Sequence, residues 1–155
     1  MSNFYTAGGA ALSSDRMDWR TPKELFAKLD EEFRFTLDAA ANAANHLCDR
    51  YYTAEDSAFG HSWSGERVFC NPPYGRDSGK WIEKCREESE GGALVVALLP
   101  ARTDTRAFHK HIYRQPNVEI RFLPGRLRFG NPQTGEPGDP APFPAMIVVF
   151  RPIGR

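Results

Sequence analysis

The sequence lacks the features that mark several classes of protein. No apolar run approaches the roughly 18 residues that a membrane-spanning helix needs, and residues 1–12 show no basic stretch leading into an apolar one. We therefore expect no membrane partner, no secretion signal and a cytoplasmic location. The three cysteines, Cys48, Cys70 and Cys85, are odd in number and form no CxxC pair. This predicts reduced thiols rather than a disulfide framework or a zinc site.

Net charge is also lacking, because 20 Lys and Arg balance 20 Asp and Glu. That balance is a weak argument against a dedicated nucleic-acid-binding protein. The distribution is uneven, however: residues 101–155 contain nine Lys or Arg and four acids, an excess of five positive charges that residues 1–100 offset. Such a basic region can follow a phosphate backbone. Solvated helix and strand faces often produce the same asymmetry, so both interpretations stay open.

A chain of 155 residues is the size of one ordinary domain. Residues 1–17 contain Gly8-Gly9 and Ser13-Ser14 without hydrophobic periodicity, which predicts a flexible leader. We expect residues 18–155 to form a single domain. Residues 130–144 are dense in Gly and Pro, which predicts a long loop.

Helical and extended patterns alternate along the rest of the chain. Thr21, Pro22 and Glu24 form a predicted capping box at the first helix, and Ser78 is a predicted cap of a later one. Residues 93–99 are continuously apolar, as in a central strand that is covered on both faces. Helices are predicted near 22–33, 39–45, 78–90 and 105–113, and strands near 35–38, 50–53, 67–70, 93–99, 118–123, 127–129 and 145–150. This order predicts an α/β fold with a mostly parallel sheet and one antiparallel strand near the C-terminus.

One short motif carries recognisable chemistry. Asn71-Pro72-Pro73-Tyr74 follows an apolar strand, where open α/β sheets place ligands. The exocyclic amine of adenine is a poor nucleophile, because its lone pair is delocalised into the ring. The Asn71 side-chain oxygen and the Pro72 carbonyl can each accept one of its N–H bonds, and the prolines hold these acceptors in place. Tyr74 offers a flat face for a base extruded from the duplex.

The alternative is a purely structural role for this motif, as a stiff turn in which Asn71 caps and Tyr74 packs. Several further motifs, in order, make the chemical interpretation more specific. They are Asp18-Trp19-Arg20-Thr21-Pro22, Leu37-Asp38-Ala39-Ala40, Tyr51-Tyr52-Thr53, Leu99-Pro100-Ala101-Arg102-Thr103-Asp104-Thr105 and Phe122-Leu123-Pro124-Gly125-Arg126. With these motifs, residues 18 to about 150 resemble the phage-type DNA N6-adenine methyltransferases, a Dam-like family that uses S-adenosylmethionine.

The resemblance implies a Rossmann-like methyltransferase fold in the cytoplasm of a bacterial host cell. It also implies an S-adenosylmethionine site. Thr21 and Pro22 stand where related enzymes hold the methionine part, and Asp38 stands where an acid ends the first strand and meets the cofactor's ammonium group. Ala39-Ala40-Ala41 replaces the usual glycine-rich turn, so the cofactor-binding assignments of Asp38 and Ala39 rest on the family likeness. Asp56 is the acid assigned to ribose or adenine, with Glu55 and Asp49 as rivals.

DNA is the expected partner, contacted by Arg102, Arg126 and Arg128. A local salt link and plain surface solvation remain the alternatives for these arginines. The histidines lack ligand spacing with the cysteines, so we expect no metal. Two other functions stay open: methylation of a protein glutamine side chain, whose amide is also planar and delocalised, and a catalytically inactive DNA-binding relative. The recognition sequence and the oligomeric state do not follow from the sequence.

Overall fold

The computed structural model describes residues 20–130 and 137–153. The predicted leader, residues 1–17, lies outside the described residues. The helices are α1 (Lys23–Phe33) and α2 (Ser78–Glu90), with a 3-10 turn (Ala58–Gly60) and a short π-helical segment (Phe108–Ile112). The strands are β1 (Leu37–Asp38), β2 (Arg67–Cys70), β3 (Leu94–Pro100), β4 (Val118–Phe122), β5 (Arg128–Gly130), β6 (Pro137–Pro140) and β7 (Ala145–Phe150). None of the helices in the described part is long and apolar enough to cross a membrane.

Five strands form the main sheet in the order β1-β2-β3-β7-β4. β1, β2 and β3 pair in parallel, and β7 pairs antiparallel with both β3 and β4. The predicted α/β fold, with a mostly parallel sheet and one antiparallel strand near the C-terminus, is therefore confirmed. The carboxyl ends of β1 and β2 lie side by side, and this arrangement positions the candidate site.

Both faces of this sheet are covered, which explains the unbroken apolar run of β3. Val95, Ala97 and Leu99 pack with Trp63, α2 and the π-helical segment on one face. Val96 and Leu98 pack on the other face, against α1 and the aromatic side chains near β5 and β7. Alternate residues of a strand point to opposite faces, so a strand covered on both sides must be apolar at every position.

The predicted Ala-rich helix over 39–45 is wrong. These residues form turns, because their backbone groups are bound by neighbours outside the segment. The Asp38 carboxylate accepts the N–H groups of Ala40 (3.4 Å) and Leu47 (2.9 Å), and the Ala41 N–H donates to the Tyr52 carbonyl. Tertiary hydrogen bonding here overrides the high helix propensity of alanine.

Both predicted helix caps are also wrong. α1 begins at Lys23 with Pro22 at the N-cap position, and no side chain caps it. Asp77 is the N-cap residue of α2, and Ser78 Oγ instead accepts the Gly75 N–H at 3.0 Å. The Thr21 hydroxyl has a different partner, which belongs to the site described below.

Three element boundaries also differ from prediction. The strand expected over 50–53 is a single parallel bridge between Tyr51 and Asp38. The helix expected over 105–113 is reduced mainly to the π-helical segment. The loop expected over 130–144 contains β6, which pairs antiparallel with β5; the part of that loop over 131–136 lies outside the described residues. Each segment is too short or too rich in Gly and Pro for periodicity to define it.

Candidate active site

A cavity of about 470 Å³ opens where β1 and β2 end. Its volume lies within the range of about 300–1,000 Å³ that is typical of small-molecule sites. Of the residues predicted to bind a cofactor or to catalyse, Thr21, Asp38, Ala39, Asn71 and Pro73 line this cavity. The cavity therefore joins the first-strand acid and two residues of the Asn-Pro-Pro-Tyr motif in one site. The predicted site residues Pro22, Pro72 and Tyr74 are not among the described residues that line it.

The Asn71 side chain is held by two hydroxyl groups. Its Nδ2–H donates to Thr21 Oγ1 at 2.9 Å, and its Oδ1 accepts from the Tyr74 hydroxyl at 2.8 Å. Pro72 is buried and Pro73 is half-buried beside it. The amide is thus fixed at a strand end by one hydroxyl from within the motif and one from outside it, which is the preorganisation that catalysis by positioning requires.

Tyr74 is buried in this arrangement, with 8% of its surface exposed. Its ring lies edge-to-face with Phe143 at 5.3 Å and with Phe129 at 6.2 Å between centroids, and its hydroxyl also lies 3.2 Å from the Leu98 carbonyl. Burial raises the pKa of the Tyr74 hydroxyl well above its usual value of 10.0, so the group stays a neutral hydrogen-bond donor. Stacking on a base requires the Tyr74 ring or the two phenylalanines to move.

Asp38 organises the loop that forms one wall of the cavity. Its carboxylate, in a residue that is only 3% exposed, accepts N–H groups from both ends of that loop, at Ala40 and Leu47. Burial raises the pKa of Asp38 above its usual 3.8, and these two hydrogen bonds partly oppose the shift. A buried carboxylate at the rim of a cavity favours a positively charged ligand group, which would offset its desolvation.

Small side chains leave the backbone of this loop accessible. Ala39, Ala40 and Ala41 all line the cavity, and the Ala39 N–H donates to the Phe69 carbonyl, which ties the loop to β2. Alanine adds only one methyl group, so a ligand can approach the main chain nearly as closely as in a glycine-rich turn. Phe69 and Trp81 supply flat apolar walls.

The acids beyond β1 are placed differently from one another. Glu55 lines the cavity. The Asp56 carboxylate lies 2.8 Å from His61 Nε2, and His61 stacks on Tyr52 at 4.3 Å between ring centroids. Asp56 and the exposed Asp49 are not among the residues that line the cavity, so Glu55 is the best placed of the three.

The three predicted DNA-binding arginines are exposed near the Tyr74 side of the site. The Arg102 guanidinium lies 5.8 Å from the centre of the Phe143 ring, which itself contacts Tyr74. Arg126 Nη1 donates to the Ala141 carbonyl at 3.5 Å, and Arg128 Nη1 donates to the Gly138 carbonyl at 3.2 Å. Arg126 and Arg128 therefore place positive charges beside the strand pair β5–β6.

Sequence reasoning missed two features of the site. The hydrogen bond between Thr21 and Asn71 joins residues 50 positions apart, and no local pattern encodes such a contact. Arg20 and Trp81 also line the cavity, although the sequence assigned neither of them to the site. The helical spacing of Trp81 indicates only that it faces inward, which is equally true of a core residue and of a cavity wall.

Comparison with known proteins gives consistent matches. A family described as "DNA N-6-adenine-methyltransferase (Dam)" matches residues 8–155. The chain is similar to a DNA N-6-adenine-methyltransferase of Escherichia phage T1, with 29% identity over 150 residues, covering 86% of this chain and 62% of that protein. It is also similar to a DNA N-6-adenine-methyltransferase of Haemophilus phage HP1, with 27% identity over 141 residues, covering 90% of this chain and 81% of that protein. The chain thus spans less than two thirds of the length of the phage T1 protein.

Proposed function

Because the chain belongs to the DNA N-6-adenine-methyltransferase (Dam) family, we propose that it transfers a methyl group from S-adenosylmethionine to the N6 amino nitrogen of adenine in DNA. The observation that carries this proposal is the Asn71 amide, which is held at the end of β2 in the wall of the cavity that Asp38 also lines. An acceptor for an amine and a carboxylate for an ammonium group therefore lie in one site.

The chemistry of the cavity fits the cofactor. S-adenosylmethionine, when bound, supplies a methyl group on a positively charged sulfur, and that methyl passes to the amine nitrogen as the carbon–sulfur bond breaks. In this proposal Asp38 holds the ammonium group, and Thr21 and Pro22 border the methionine part. Ala39 allows a close approach to the main chain. Glu55 takes the ribose or adenine in preference to Asp56, because Glu55 lines the cavity.

The Asn-Pro-Pro-Tyr motif would act on the target amine. Asn71 Oδ1 and the Pro72 carbonyl each accept one N–H of the amine, which draws the nitrogen toward a tetrahedral geometry with a localised lone pair. The amine loses one proton to solvent after the new nitrogen–carbon bond forms. This mechanism depends on orientation and needs no strong base. Pro72 and Pro73 restrict the backbone, so that the two acceptors keep a fixed position relative to each other.

We propose that the target base enters by flipping out of the duplex, because an adenine amine within a stacked helix cannot reach a cavity at a strand end. Tyr74 then stacks on the base after Phe129 and Phe143 move away from its ring, so that its hydroxyl keeps the bond to Asn71 Oδ1. Arg102, Arg126 and Arg128 contact phosphates nearby, since all three are exposed near these aromatic side chains. This assigns the strand pair β5–β6 and its flanks to the DNA side of the site.

The direct test is methyl transfer from labelled S-adenosylmethionine to unmethylated DNA, compared with transfer to a protein mixture. We expect label in DNA only. Label in protein and none in DNA would favour glutamine methylation, which the planar amide chemistry also permits. If calorimetry detects no binding of S-adenosylmethionine at millimolar concentration, the chain is not a methyltransferase, and a DNA-binding relative without activity becomes the better account.

A further inference from the structure

We propose that Thr21 is a positioning residue for the reaction: its hydroxyl, together with that of Tyr74, holds the Asn71 amide in place for the target amine. The inference rests on the proposed function and adds a role beyond contact with the cofactor. It starts from an unexpected feature of α1. The residue that the sequence marks as a helix cap leaves the helix without a side-chain cap and binds the catalytic motif instead.

An asparagine amide has two ends of nearly equal size and opposite hydrogen-bonding character. Only its oxygen can accept an N–H bond from adenine, and an amide turned by 180° would present N–H groups to the N–H groups of the amine. The orientation therefore decides whether Asn71 assists or opposes the reaction. In the structure Thr21 Oγ1 accepts the Nδ2–H, which is the arrangement in which Oδ1 can accept from the amine.

Tyr74 cannot fix this orientation by itself. Its hydroxyl has one proton and lies near two acceptors, Asn71 Oδ1 at 2.8 Å and the Leu98 carbonyl at 3.2 Å. Because this proton can turn to Leu98, a second contact is needed to restrict the amide. The Thr21 hydroxyl supplies that contact at the other end of the amide.

Thr21 is itself held firmly enough for this role. It is 7% exposed. The preceding Arg20 carbonyl accepts the Gly130 N–H of β5 at 2.9 Å, and the following Pro22 carbonyl accepts the Phe26 N–H in the first turn of α1. The Thr21 backbone is therefore anchored on both sides by main-chain hydrogen bonds, so its hydroxyl stays at a fixed place beside Asn71.

The test compares Thr21→Val, which keeps the shape and removes the hydroxyl, with Thr21→Ser, which keeps the hydroxyl. We expect Thr21→Val to lower kcat at saturating S-adenosylmethionine by about tenfold to a hundredfold while the KM for DNA stays within about twofold. Thr21→Ser should recover most of kcat. Thr36→Val is a matched control, because the Thr36 hydroxyl binds Glu66 away from the cavity, and it should leave kcat unchanged.

A second readout does not depend on activity. The side-chain NH₂ signal of Asn71, assigned by its disappearance in Asn71→Asp, should shift and lose protection from solvent exchange in Thr21→Val but not in Thr21→Ser. An unchanged signal, or an unchanged kcat with weakened cofactor binding, would overturn the inference and leave Thr21 as a cofactor residue only. If the wild-type protein methylates no DNA, the proposed function fails, and the NMR comparison still decides whether Thr21 orients the amide.

Discussion

At the scale of single residues, the site combines side chains that could be identified from the sequence with hydrogen bonds that could not. Asn71 could be singled out from the chemistry of its motif, and Asp38 from the resemblance to a known family. Their hydrogen-bond partners could not, since Thr21 comes from a helix start and Leu47 from the far end of a loop. Asp56 shows the same limit: the sequence places several acids beyond β1, and only folding separates Glu55 in the cavity wall from Asp56 at His61.

Asn71→Ala should separate catalysis from cofactor binding. The substitution removes the acceptor for the amine and leaves Asp38 and its loop intact, so kcat should fall by at least about a hundredfold, comparable to the loss of one preorganised polar group in other enzymes. The affinity for S-adenosylmethionine, measured by calorimetry, should change by less than about threefold. A loss of cofactor binding together with activity would instead indicate that Asn71 supports the fold of the cavity.

Asp38 should make cofactor affinity dependent on pH. Burial raises its pKa above 3.8, so the folded ligand-free protein binds this proton more tightly than the unfolded chain does. The free energy of unfolding therefore declines as pH rises from the usual pKa of an aspartate to the raised pKa of Asp38. Binding of an ammonium group, by contrast, requires the ionised carboxylate. We expect S-adenosylmethionine affinity to fall on acidification at a pH above the usual pKa of an aspartate.

The control for this pH prediction is Asp38→Asn, which cannot ionise. Its affinity should be weak and nearly independent of pH over the same acidic range, as measured by calorimetry. An equal change of S-adenosylmethionine affinity with pH in the wild type and in Asp38→Asn would show that another group causes the loss of affinity at acidic pH.

At the scale of elements, the long periodic or continuously apolar segments could be predicted and the short ones could not. β3 and β7 are identifiable because strands covered on both faces are apolar at successive positions. α1 and α2 have apolar side chains at helical spacing. The segment after Asp38 was assigned the wrong structure, because its alanines favour a helix in isolation while the buried carboxylate binds its N–H groups. β6 was not predicted, because its residues include two prolines and a glycine.

The elements should be stabilised mainly by the core rather than by surface ion pairs. Ile147 of β7 is buried, and Ile147→Ala should lower the free energy of unfolding by about 2–5 kcal/mol. Arg121 binds Glu32 and Glu119 on a partly exposed surface, and Arg121→Ala should lower it by about 1 kcal/mol or less. Urea unfolding measures both, and salt should weaken only the Arg121 contribution. A larger loss in Arg121→Ala than in Ile147→Ala would contradict this ranking.

At the scale of the whole molecule, five of the nine basic residues after residue 100 fall into two groups. Arg121 and Arg151 form ion pairs with acids near α1 and β4, so they are poor candidates for phosphate contacts. Arg102, Arg126 and Arg128 are exposed. Arg102 lies over Phe143, which contacts Tyr74, and Arg126 and Arg128 donate to the carbonyls of Ala141 and Gly138. A count of charge along the sequence could indicate a basic region, but it could not distinguish neutralised arginines from those near the site.

Arg102→Ala should weaken DNA binding in a salt-dependent way. Removing one phosphate contact reduces the slope of log affinity against log salt by about 1, with little change in preference among DNA sequences. Binding can be followed by fluorescence anisotropy over a range of salt concentrations. Arg114→Ala is the matched control, because Arg114 is exposed but lies just before β4 begins, and its salt slope should equal that of the wild type. Equal slopes of log affinity against log salt in all three proteins would show that Arg102 does not contact DNA.

The central claim, adenine N6 methylation by the Asn-Pro-Pro-Tyr site, is tested most directly by nucleoside mass spectrometry. Unmethylated DNA is incubated with S-adenosylmethionine and either the wild-type protein or Asn71→Ala, and then digested to nucleosides. The account predicts N6-methyldeoxyadenosine with the wild type, and only a background level of this nucleoside with Asn71→Ala. Methylcytosine in its place, or equal product from both proteins, would contradict it.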